Sequence, residues 1–230
     1  MKYISFSLWG DKPIYNVGAI RNAELSKEIY PDWKMVVYYD NTVPKSTIEK
    51  LISLNVLTID MTNSNIFGCF WRFLISDNQD CEYSIFRDCD SRISLREKLS
   101  VDEWIKSNKT IHIMRDHPAH KIPYGTNSIG ILAGMWGIKG KIIDMENHIK
   151  FFIFNKQNNY GIDQTFLTQF FNKYKNDNCT HDEFFENKPF PIKRDGSFFI
   201  GGRIDEFDKP VGNDHLTILE YENRIRVSGV

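Results

Sequence analysis

Short apolar runs alternate with helix-spaced ones through the first ninety residues, which is the pattern of a mostly parallel sheet covered by helices. Tyr3-Ile4-Ser5-Phe6-Ser7-Leu8 reads as a first strand before the chain turns polar at Gly10-Asp11-Lys12-Pro13. Val17, Ile20, Leu25 and Ile29 fall near helical spacing within residues 15–29, and Pro31 stops that helix. Residues 35–39 form a β-branched and aromatic strand. Residues 42–55 follow as a helix, with Pro44 near its first turn and Ile48, Leu51 and Ile52 on one face, and 56–60 as a third strand. Phe70, Trp71, Leu74 and Ile75 mark a helix over 67–76, and 83–88 is the fourth strand. Units of this β-α-β kind bind ligands beyond the carboxyl ends of their strands.

The second half is less regular. Ser100-Val101-Asp102-Glu103 reads as a capping box opening a short helix to Lys106, and 110–114 as another strand. Residues 115–125 form a polar loop, 130–140 a glycine-rich stretch, and 163–174 an amphipathic helix with Phe166, Leu167, Phe170 and Phe171 on its core face. The last thirty residues read as a loop-rich closure. No repeat or linker interrupts the chain, so one α/β domain over residues 1–230 is expected.

Composition removes several classes. At 230 residues, with 41% hydrophobic and 26% charged, the chain can bury roughly 72% of its unfolded surface without metal or disulfide. A net charge of -1 lacks the positive excess that advertises phosphate-backbone binding, which excludes nucleic acid as the expected partner. Cys69, Cys81, Cys89 and Cys179 make no C-x-x-C pair, which suits free thiols in a reducing compartment. The amino terminus lacks a signal-peptide pattern, and apolar runs such as Phe151–Phe154 fall far short of the ~20 residues that span a bilayer. The expectation is a cytosolic protein, with a peripheral role at a membrane surface left open.

The most informative segment is Arg87-Asp88-Cys89-Asp90-Ser91-Arg92, where the fourth strand runs out. In extended backbone, residues i and i+2 face the same way, so alternation directs the carboxylates of Asp88 and Asp90 at one volume and Arg87 at the other face. Two such charges ~5 Å apart repel by about 3 kcal/mol at an effective dielectric of ~20, which calls for a cation. Hard oxygen ligands, few in number, suit Mn²⁺ or Mg²⁺ that keeps waters and shares a substrate's phosphates. The plain alternative is a surface loop screened by Arg92 and solvent.

The context is specific. Phe70-Trp71-Arg72-Phe73-Leu74 lies one helix upstream. Downstream stand His112 to Pro118, Ala133-Gly134-Met135-Trp136-Gly137, Tyr160-Gly161-Ile162-Asp163-Gln164-Thr165-Phe166-Leu167 and Phe199-Ile200-Gly201-Gly202. In that order and spacing the chain resembles nucleotide-sugar glycosyltransferases of the GT-A fold, nearest to the group of lipopolysaccharide galactosyltransferases and glycogenin. The likeness covers most of residues 1–202. It implies a GT-A-like, mostly parallel central sheet flanked by helices, with 1–92 a nucleotide-binding half and 93–230 a donor-sugar and acceptor half. It further implies that Asp90 binds the metal, that Asp88 binds it too or holds the ribose and sugar, and that Arg72 bonds Asp88 or the donor sugar. Asp163 and Gln164 would lie against the transferred sugar, although an aspartate at a helix start can also serve as a plain cap. His215 falls in the region where the galactosyltransferase group supplies a third metal ligand, and an imidazole there would favour Mn²⁺.

The remaining candidates rest on residue chemistry. In Arg115-Asp116-His117-Pro118-Ala119-His120, Arg115 is the anion contact through its fork of donors, for donor phosphate or acceptor hydroxyl recognition. A zinc pair of His117 and His120 is disfavoured, because no cysteine or second histidine pair lies nearby. Gly134 permits close backbone approach to a ligand, and Trp136 fills core. The resembled group follows its first strand with an alanine-aspartate-aspartate run that holds the nucleobase. Here the strand leads into Ser7-Leu8-Trp9-Gly10-Asp11, where Trp9 could stack on a base or be buried.

The expected function is therefore transfer of a sugar from a nucleoside diphosphate, UDP by resemblance, to a saccharide acceptor in surface-glycan synthesis. A noncatalytic nucleotide-sugar or carbohydrate binder and a metal-dependent phosphohydrolase using Asp88, Asp90 and the His117 loop are the alternatives.

Overall fold

The computed structural model describes residues 1–120, 129–142 and 144–228, the last four of these by backbone alone. Residues 121–125 of the expected polar loop lie outside the described residues. The centre is a seven-stranded sheet of β1 (Lys2–Leu8), β2 (Lys34–Tyr39), β3 (Leu57–Asp60), β4 (Tyr83–Arg87), β5 (Ile111–Arg115), β6 (Trp136–Lys139) and β7 (Asn178–Asp182), in the order β3-β2-β1-β4-β6-β5-β7. All neighbours run parallel except β6, which is antiparallel to both β4 and β5. The strand order reverses between β1 and β4, so the crevice at their carboxyl ends is the switch point where open α/β sheets bind ligands.

Helices cover both faces, and the strands show why they read as near-continuous apolar runs. Alternation sends Ile4, Phe6, Leu8, Met35, Val37, Tyr83 and Ile85 to one core, against α1 (Pro13–Ile29), α2 (Lys45–Ser53) and α4 (Leu95–Ser107). Tyr3, Val36, Tyr38, Phe86, Ile111, Ile113 and Trp136 go to the other, against α3 (Gly68–Trp71), α5 (Met145–Ile153) and α6 (Ile162–Phe171). Trp136 is core, edge-on to Phe73 and Phe171.

Several expectations are corrected. The N-cap is Ser94, its Oγ accepting from the Glu97 N–H while the Glu97 carboxylate goes to Arg87 and Tyr30, so α4 starts a turn and a half before Ser100, whose hydroxyl instead bonds back to the Arg96 carbonyl. The glycine-rich stretch contains β6, where Gly137 lets Trp104 and Ile85 close on the strand. The helices expected over 67–76 and 163–174 both tighten into 3-10 turns, at Arg72–Asp77 and Asn172–Tyr174. Strand β7 and helices α5 and α7 (Asp214–Ser228) had no counterpart in the reading, and α7 replaces half of the loop-rich closure. Among the described residues, no helix is long and apolar enough to cross a membrane.

Candidate active site

The segment after β4 is fixed in place by α1. A side chain at Gly18 would collide with the Cys89 carbonyl, and Asn22 clamps the segment by donating to the Ser91 carbonyl at 2.8 Å and accepting from the Ile93 N–H at 3.0 Å. Pro13 in the first turn of α1 sets this helix at the carboxyl end of β1. Residues 88–91 do not stay extended. They close a turn, Ser91 N–H to Asp88 carbonyl at 3.3 Å, with aspartate at the first position where it is favoured. The turn, rather than strand alternation, brings the Asp88 and Asp90 carboxylates into one field. Burial, then the Asp88 charge, pushes the Asp90 carboxyl above its ordinary range. Tyr15 on α1 feels both carboxylates, after burial itself, and its phenol is likewise pushed up.

Arg72 organises the other side. Its backbone N–H donates to Ser7 Oγ at 2.9 Å, and its buried guanidinium holds Asp88, the Arg87 carbonyl at 3.1 Å and Asp163 Oδ2 at 3.1 Å. Asp163 Oδ1 accepts from the Gln164 N–H at 2.9 Å, which leaves the carboxylate held at both oxygens. Asp163 sits one residue inside α6, whose cap position is Gly161 at φ 78°, so Asp163 does not cap the helix. Burial raises the Asp163 carboxyl, although Arg72 opposes the shift. One arginine therefore joins the segment after β4 to the start of α6.

Arg87 points away, as alternation requires, into an ion pair with Glu97 at 2.8 Å. The partner of Asp90 is Arg203 at 3.2 Å, and the Asp90 carbonyl accepts from the Ile204 N–H at 2.7 Å. Arg203, which sequence reading missed, follows Gly201-Gly202, where Gly201 has a positive φ of 81°. The Asp88 side chain remains 46% exposed and the Arg203 side chain 54%. Gly134 makes its close approach to Asp88, not to open space, since a Cβ there would overlap Asp88 Oδ2. Trp9, just past β1, is half-exposed, at right angles to Trp71 and packed on Gly68.

Two expected site residues are placed elsewhere. Arg115 is 0% exposed, with its guanidinium on Asp182, Glu186 and the Gly130 carbonyl, so it offers no fork to an anion. His117 and His120 are built into the same buried region. His117 Nδ1 accepts from the Ala119 N–H at 2.9 Å and Nε2 meets the Asp214 carbonyl at 3.0 Å, while His120 Nδ1 accepts from the Asp116 N–H at 3.1 Å. His215 lines a cavity with Arg203 and Ile204 and joins no ligand cluster. Among the described residues no group of three His, Cys, Asp or Glu side chains could hold a metal unaided. Asp88 and Asp90 fit one nonetheless, as two hard carboxylates for an ion that takes its other ligands from phosphate and water.

No family model matches the chain, and no curated protein is significantly similar to it in sequence. Solved structures are similar to it in fold. The galactosyltransferase LgtC in complex with donor and acceptor sugar analogues aligns with a TM-score of 0.51 and 14% identity, over 80% of this chain and 74% of that one. TarS residues 1–349 from S. aureus align with a TM-score of 0.53 and 13% identity, over 83% of this chain and 59% of that one. A mixed seven-stranded sheet with helices on both faces, a switch point between β1 and β4, and these alignments together give the chain the GT-A-type fold that its motifs resembled.

Proposed function

We propose that this chain is a metal-dependent glycosyltransferase that moves a sugar from a nucleoside diphosphate, UDP, to a saccharide acceptor in surface-glycan synthesis. The observation that carries the reading is the Arg72 clamp, a single buried guanidinium holding one carboxylate from each half of the chain at the switch point, next to the acidic turn. The likeness in fold to a galactosyltransferase solved with donor and acceptor analogues supports it.

In this reading Asp88 and Asp90 hold Mn²⁺ or Mg²⁺, and the bound ion supplies charge stabilisation for the departing diphosphate. Asp163 accepts from hydroxyls of the donor sugar; because Arg72 and its own Gln164 N–H fix both oxygens, it presents remaining lone pairs without reorganising. The Gln164 side chain lies against the same sugar. Arg203, the exposed partner of Asp90, passes to a phosphate oxygen when the carboxylate takes a metal. Trp9 offers its ring to the nucleobase. The reading places the work in the cytosol, where the four free thiols stay reduced.

The test is release of UDP from a panel of UDP-sugars with Mn²⁺ or Mg²⁺, with and without saccharide acceptors. Metal-dependent release that rises with an acceptor is expected. Binding without release would make the chain a noncatalytic binder, and rapid phosphate liberation with no acceptor would make it a hydrolase.

A further inference from the structure

A cavity of about 410 Å³ lies against Asp90 from the carboxy-terminal side, lined by both residues that bind Asp90, Arg203 and Ile204. Its volume falls in the range of small-molecule sites, roughly 300–1,000 Å³. Arg72, Asp88 and Asp163 take no part in its walls, so it adjoins the crevice assigned to the donor sugar and shares only Arg203 with the residues assigned there.

The walls are apolar over most of their area, through Leu95 at the start of α4, Ile192, Val211 and the rings of Phe198 and Phe199, with charged side chains such as Lys193 and Arg203 among them. Leu95 is 58% exposed and Phe198 53%, although both are large and apolar. Neither is needed in that position by the fold. The first turn of α4 is secured by the Ser94 cap, and nearby Ile200 makes the core contact, with Met114, Met135 and Phe190. Large apolar side chains held in water around a concavity gain free energy only when something apolar covers them. The lining also carries polar side chains, His215 among them. A ligand with an apolar body and a polar end satisfies both features.

We propose that this cavity takes the aliphatic aglycone of the acceptor, so that the saccharide acceptor is one linked to a hydrocarbon chain; the proposal rests on the glycosyltransferase reading and names its substrate class. The chain lies among Leu95, Ile192, Phe198 and Val211, the polar link reaches His215, and the sugar is delivered to the edge of the acidic turn.

Calorimetry on the full chain with n-octyl β-D-galactoside, below its micelle concentration, and methyl β-D-galactoside tests this, in the presence of Mn²⁺ and UDP. The octyl glycoside is expected to bind at least tenfold more tightly than the methyl glycoside. Phe198→Ala and Leu95→Ser, both at exposed positions, should each reduce that preference about threefold or more. Equal binding of the two glycosides, or an octyl preference that survives both substitutions, overturns the proposal. Failure of the glycosyltransferase reading shows separately, as absence of Mn²⁺-dependent UDP binding in the same titrations.

Discussion

Strands β4 and β5 both end in arginine followed by aspartate, Arg87-Asp88 and Arg115-Asp116, and the two pairs end in opposite circumstances. In each, the arginine turns into the protein, Arg87 to Glu97 and Arg115 to Asp182. The aspartates differ. Asp88 emerges at the switch point with nearly half of its side chain in solvent. Asp116 is roofed by the segment around residues 192–200, fully buried, and held by Arg96 at 2.9 Å, Arg194 at 2.7 Å and the Ile200 N–H at 2.9 Å. Glu183 and Glu222 complete that network by pairing with the same arginines. The lesson is that identical charge chemistry at a strand end is a scaffold where the next layer closes over it and stays available to a ligand where the topology leaves it open. A sealed cluster has spent its donors and acceptors on itself.

The sharpest way to separate the two is to remove each aspartate. Asp116→Ala leaves Arg96 and Arg194 buried without their shared carboxylate, and a loss of about 3–5 kcal/mol in urea-monitored stability is expected. A variant as stable as the parent would make the sealed network dispensable. Asp90→Asn should do the reverse, because Arg203 is exposed and can turn to solvent. Metal-dependent turnover should fall about 100-fold, equivalent to about 2.7 kcal/mol, while the melting temperature stays within about 2 °C. Retained metal-dependent turnover would take the acidic turn out of the mechanism. Between these lies Gly134→Ala, whose new methyl overlaps Asp88 Oδ2 and must push that side chain aside. A fall of about tenfold in kcat/KM, about 1.4 kcal/mol, with nucleotide binding weakened alongside, is expected; kinetics like the parent's would show that the position of Asp88 does not matter.

The same comparison explains what was legible in the sequence. The parallel half was readable because strands buried on both faces are apolar throughout and their helices carry start and stop residues such as Pro44 and Pro31. Arg72 and the acidic pair stood out because the pair follows a clear strand and the segments around it resemble a family's in order, but the turn that brings the two carboxylates together was not legible. The carboxy-terminal half was obscure for physical reasons. Strand β6 contains Trp136-Gly137-Ile138-Lys139, too short and too glycine-rich to show alternation, and β7 is Asn178-Cys179-Thr180-His181-Asp182, whose polar groups are tolerated only because neighbouring strands and loops bond them. Arg115 was misread for the same reason. Its partners Asp182 and Glu186 lie nearly seventy residues away, beyond any local pattern.

The smallest effect expected is the share of the pH dependence of stability that His120 contributes in the sealed region. His120 accepts the Asp116 N–H at its Nδ1, so the native fold needs that nitrogen unprotonated. Burial, followed by the neighbouring His117, Arg115 and Arg194, pushes its pKa down from 6.5 to about 3. A folded pKa below the unfolded one means that the unfolded chain binds the proton first. The contribution of His120 is therefore whole above about pH 6.5 and drains away as the pH falls from there toward 3, by about 1 kcal/mol at pH 5.5. His112 and His181 are also pushed down by burial, so the parent's slope contains their share as well. His120→Asn, which keeps a neutral acceptor near the Nδ1 position, isolates the difference. Urea unfolding of both proteins at pH 7.5, 6.5 and 5.5 should show the parent losing about 1 kcal/mol more than the variant. Parallel profiles would mean that the imidazole is free to take its proton in the folded state, and that the roof over Asp116 opens more readily than its ion pairs suggest.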